Sequence, residues 1–73
     1  MILYLARDKK TQHLNLFFNE PTCDADGIWR DNGNVLHIPV TNNKNIFPEV
    51  TFETSPCRMV LCTETDFDEI YKN

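Results

Sequence analysis

Glycine is scarce in this sequence: two glycines and four prolines stand among 73 residues, which excludes a collagen-like or low-complexity chain. Long apolar runs are missing as well. No stretch approaches the roughly 20 residues that a membrane helix needs. The opening MILYLA is interrupted by Arg7, Asp8, Lys9 and Lys10 before a signal-type apolar region and cleavage site can form. A cytoplasmic protein without an export signal or membrane segment is the expectation. The cysteines, Cys23, Cys57 and Cys62, are too few and odd in number for a secreted disulfide framework, so free thiols are expected.

Positive charge is also in short supply. Seven Lys and Arg face eleven Asp and Glu, for a net charge of −4. Phosphate binding depends on Lys and Arg displacing counterions, and the one compact basic group, Arg7, Lys9 and Lys10, is broken by Asp8. Direct nucleic-acid binding is therefore disfavoured, and a protein partner with a basic surface suits the charge better.

What is present is a hydrophobic fraction of 41% that includes five Phe, two Tyr and one Trp, enough for a packed interior and against disorder. The length makes one domain, residues 1 to 73. At this size a core rarely supplies more than roughly 3–5 kcal/mol.

Short runs separated by turn signals predict a mainly β fold: a small antiparallel sheet or open barrel of five to six short strands, with a short C-terminal helix. ILYLAR (2–7) and HLNLFF (13–18) read as a hairpin across the polar DKKTQ, with Leu14, Leu16 and Phe18 on one face. NEPTCDAD reads as a longer loop. GIWR and VLHIPV flank Asp31-Asn32-Gly33-Asn34, whose central Asn-Gly suits a type I′ turn and predicts a second hairpin. Pro39 lacks a ladder donor and places its strand at or near an edge. IFPEVTFETSP (46–56) reads as a half-buried strand bounded by Pro48 and Pro56, with Phe47 extended before its proline. RMVLCT (58–63) reads as a further strand. In the acidic tail, 64–73, Phe67, Ile70 and Tyr71 take helical spacing, and Thr65 is the expected cap.

Sites with chemistry are hard to assemble from these residues. Cys23, Cys57, Cys62, His13 and His37 are zinc-ligand types, but no C-x2-C pair occurs and Cys57 and Cys62 would face opposite sides of a continuous strand. Cys62 is expected in the core, with Cys57 and Cys23 in turns. DADGIWRDNG resembles a calcium loop, yet Trp29 stands where an EF-hand loop needs glycine, and the acids are better read as turn formers. A Cys/His pair is the one nucleophilic constellation on offer, without a glycine-rich turn around it. No metal, cofactor or catalytic residue is expected.

Binding is the remaining chemistry. Phe18, Trp29 and Phe52 are assigned to the core, and Phe17, on the face opposite Leu16 and Phe18, is the exposed partner-binding candidate. Glu64, Asp66, Asp68 and Glu69 form a second candidate, able to imitate spaced phosphates before a basic partner. A solvated helix N-terminus is the plainer reading of these acids.

LYLARDK (3–9), LFFNEP (16–21), GIW (27–29) and FPEVTFETSP (47–56) together resemble a group of short uncharacterised proteins of bacterial phages and mobile elements. The similarity spans roughly residues 2 to 62 and implies a shared small β-rich fold without a known activity. CRMVLC departs from the alternating Val and acidic residues of the lookalikes, and the tail from Glu64 is additional. The leading functional expectation is a non-enzymatic, anti-CRISPR-like inhibitor that binds a host defence protein, such as a nuclease, in stoichiometric fashion. The alternatives are a structural module that self-associates as a homodimer, and a small Cys/His enzyme.

Overall fold

The computed structural model describes residues 1–31, 37–41 and 46–66. Among the described residues six short strands form two antiparallel sheets, and no barrel closes. β1 (Ile2–Arg7) and β2 (Leu14–Phe17) make the expected hairpin, with Leu5 opposite Leu16 and Tyr4 opposite Phe17. Their connection, 8–13, is closed by the Asp8 N–H donating to the His13 carbonyl at 2.9 Å, and Gln12 takes a left-handed φ of 62°.

β5 (His37–Thr41) adds to β2, and β6 (Cys57–Val60) adds to β1, giving the order β5-β2-β1-β6. Alternation divides the side chains between two faces. Leu3, Leu5, Arg7, Leu14, Leu16, Cys57 and Met59 share one face, where Leu5, Leu14 and Val50 form a buried cluster with Leu16, Cys57 and Met59 packed against it. On the other face Ala6, Asn15 and Phe17 are buried too. A sheet covered on both sides is what so short a chain requires to exclude enough water.

Pro39 lies on an edge strand, as its chemistry demands. It stands opposite Asn15, which bonds toward β1 rather than β5, so the missing N–H points away from the sheet and no ladder bond is lost. A register shift between Leu14 and Asn15 leaves Val40 as the extra residue of a bulge on that edge.

β3 (Thr22–Cys23) and β4 (Trp29–Arg30) form the small second sheet, within and just after the segment read as a loop. Thus β4 pairs with β3, and β5 pairs with β2. The second hairpin expected across Asn32-Gly33 is not made by the described residues, and its turn lies outside them. The β3–β4 turn is built on Asp24, whose Oδ1 accepts the N–H groups of Asp26 at 2.9 Å and Ile28 at 3.1 Å. Gly27 closes it at φ +79°, and a Cβ there would stand 2.7 Å from Lys9 Cβ. Gly27→Ala combines a left-handed penalty with this clash and should lower stability by about 2 kcal/mol; urea unfolding with an unshifted midpoint would show that the turn yields freely.

Residues 46–56 do not form the expected strand. Phe47 takes φ +50° rather than an extended conformation, and the Val50 N–H donates to its carbonyl at 2.9 Å. Downstream, hydroxyls replace a ladder. Thr54 Oγ1 accepts the Thr51 N–H at 2.8 Å and donates to Glu49 O at 2.9 Å, and Ser55 Oγ donates to Thr51 O at 2.6 Å. The segment is a series of turns that drops Val50 onto Leu5 and Leu14.

A helix starts at 64–66. Thr63, not Thr65, caps it, its Oγ1 accepting the Asp66 N–H at 3.2 Å. The expected helical contacts of Phe67, Ile70 and Tyr71 lie outside the described residues.

Candidate interaction surface

Arg7 organises the turn region. It is 2% exposed, and its guanidinium donates only to backbone carbonyls: Nε to Val50 at 2.6 Å, Nη1 to Gln12 at 2.8 Å, and Nη2 to Ile46 at 2.8 Å and Phe47 at 3.4 Å. Its backbone N–H donates to Ser55 Oγ at 2.9 Å. A planar fork with five donors suits carbonyls arriving from two loops at once.

The consequence is a display. Ile46 and Phe47, whose carbonyls are held by Arg7, leave their side chains 40% and 42% exposed. A bulky residue in the left-handed region costs about 1–3 kcal/mol and persists only where its surroundings impose it. The carbonyl clamp is that imposition. Sequence reading missed this pair because Phe47 precedes a proline, which ordinarily signals an extended strand entry.

Phe17 requires the opposite correction. It is 0% exposed, so it is not a surface anchor, while Phe18, assigned to the core, is exposed just past the end of β2. Trp29 and Phe52 are half-buried rather than central. Their rings meet at 6.1 Å with a 51° tilt, Lys9 Nζ stands 5.7 Å from the Phe52 centroid, and the buried Trp29 Nε1 has no hydrogen-bond partner among the described residues. The Trp29 N–H donates to Asp8 Oδ1 at 3.0 Å, tying β4 to the end of β1.

Glu64 and Asp66 are exposed at the start of the helix; Asp68 and Glu69 lie outside the described residues. A second apolar area flanks these acids along the chain. Ile2 and Val60 are cross-strand partners, Met1 and Leu61 exchange backbone bonds at 2.8 and 3.1 Å, and all four side chains are exposed.

The thiols are arranged differently from expectation. Cys57 opens β6 and packs on the core, Cys23 is exposed in β3, and Cys62 is half-buried beyond β6. Among the described residues, no three His, Cys, Asp or Glu side chains converge to hold a metal ion. The Arg30 Nε hydrogen bond at 2.8 Å, and then the Ile28 N–H, hold the Asp24 carboxyl below its ordinary pKa, and this pair serves the turn. No helix among the described residues is long and apolar enough to cross a membrane. The chain matches no protein-family model, and neither curated proteins nor solved structures provide a match to it.

Proposed function

We propose that this chain is a non-enzymatic binding protein of phage or mobile-element type, acting in the bacterial cytoplasm by stoichiometric capture of a host protein, with a defence nuclease as the leading target class. The observation that carries the reading is the strained, outward presentation of Phe47 beside Ile46, clamped through Arg7. An aromatic side chain fixed before contact binds with little further loss of freedom, which is how interface anchors gain affinity. The exposed acids Glu64 and Asp66 favour a basic partner surface and would speed encounter.

Phe47→Gly separates binding from folding. Glycine adopts φ +50° without steric strain, which offsets the chain entropy it loses on folding, so the variant should stay within about 1 kcal/mol of the parent. Capture from a host lysate should nevertheless fall about 30-fold, the loss of roughly 2 kcal/mol typical of an anchor. Reversing Glu64 and Asp66 to lysine should weaken capture more at low salt than at high salt, leaving the sheet intact. Full capture by both variants would remove this surface from the mechanism.

A further inference from the structure

The two sheet edges are unlike. The β5 edge is guarded by Pro39 and by the bulge at Val40, both devices that prevent strand addition. The β6 edge has neither, and its register to β1 runs without a break. Leu61 and Met1 exchange both backbone bonds. In an antiparallel ladder such pairs alternate, so Met59 and Cys57 also bond toward β1, whereas the N–H and C=O groups of Arg58 and Val60 point outward. No described residue takes them up.

Side chains along this edge follow a symmetric order. Leu61 and Val60 are exposed and apolar, 51% and 59%, with Ile2 and Met1 beside them. Three residues before Leu61 stands an exposed cation, Arg58, and three residues after it an exposed carboxylate, Glu64. A strand that carries a positive charge, then aliphatic side chains, and runs into a carboxylate on the first residue of the following helix complements its own antiparallel copy.

We infer that a second copy of this chain adds antiparallel to β6, with a two-fold axis at Leu61, joining two four-stranded sheets into one. Leu61 meets its copy on the axis. Val60 pairs with Cys62 of the copy and exchanges backbone bonds with it, and Arg58 lies against the copy's Glu64. This isologous arrangement satisfies the outward groups of Val60 twice over and buries the apolar corner. A parallel copy would set Arg58 against Arg58, and an added strand at β5 would meet Pro39. The inference is independent of partner capture and is tested on the purified chain alone.

Sedimentation equilibrium of the reduced, full-length chain should give twice the mass of one copy. Arg58→Glu sets like charges against each other at both ends of the contact and should raise the dissociation constant about tenfold. Combining Arg58→Glu with Glu64→Arg restores opposite charges and should return the constant to within about twofold of the parent. Both positions are exposed, so folding is retained and circular dichroism should be unchanged. Amide exchange gives a second reading: Val60 and Cys62 should exchange slowly in the dimer and quickly on dilution, while Met59 and Leu61 stay protected throughout. A monomer at concentrations up to about 1 mM, failure of the charge swap to restore pairing, or concentration-independent exchange at Val60 would each overturn the inference.

Discussion

Arg7→Met is expected to leave the chain largely unfolded at room temperature. The substitution keeps much of the aliphatic volume but removes the guanidinium donors that reach the carbonyls of Gln12, Ile46, Phe47 and Val50. These carbonyls come from two loops that share no sheet with each other. Losing several charge-assisted hydrogen bonds at a 2% exposed site should cost about 3–5 kcal/mol. That is comparable to the roughly 3–5 kcal/mol a core of this size supplies. Arg7→Lys should fail almost as badly, because one ammonium cannot span carbonyls that a planar fork reaches from three nitrogens. Far-UV circular dichroism and urea unfolding are the measurements. A folded Arg7→Met chain with the parental midpoint would mean that water satisfies the carbonyls and that Arg7 holds nothing together.

Phe17→Ala should be nearly as damaging, at about 3–5 kcal/mol, the usual cost of emptying a fully buried aromatic site. Phe18→Ala, one residue on and exposed, should stay within about 1 kcal/mol of the parent. The milder Phe17→Leu should cost about 1–2 kcal/mol and leave enough folded protein for a thermal midpoint to be read. The pair tests which face of β2 is wet. Equal, small losses at both positions would return Phe17 to the surface and make it a contact residue after all. A loss confined to Phe17 would mean that any fall in capture by Phe17 variants reflects unfolding, which makes Phe47 the cleaner probe of binding.

Much of the sheet was legible because its information is local. Alternating apolar residues on either side of DKKTQ specify the β1–β2 hairpin, and the alternation in RMV carries β6. Pro39 marks its strand as an edge through the absence of one hydrogen atom. The acids around Gly27 read as turn formers, and Asp24 forms the turn. Elsewhere two local rules competed. The apolar and β-branched residues of 46–56 favour a strand, but Thr51, Thr54 and Ser55 can also bond their own backbone, and that option prevails. The tail offers two Thr-x-x-Asp spacings, Thr63 with Asp66 and Thr65 with Asp68. Choosing between them depends on where β6 stops.

The candidate surface was less legible than the sheet. Glu64 and Asp66 are exposed as their charge suggests. The presentation of Ile46 and Phe47 depends on a guanidinium 39 and 40 residues away in sequence, and no spacing rule announces such a contact. Arginine is ordinarily a surface residue, so composition alone places Arg7 in a basic patch rather than beneath two loops.

By itself, then, the sequence determined the mainly β class, the first hairpin, the guarded edge at Pro39 and the turn at Asp24, because each follows from backbone chemistry and side-chain period within a few residues. Only the tertiary structure decided that Phe17 is inside and Phe18 outside, that Arg7 is buried, and that Phe47 is held out in a left-handed conformation. Period-two alternation says which side chains are opposed, but which face is covered depends on segments distant along the chain.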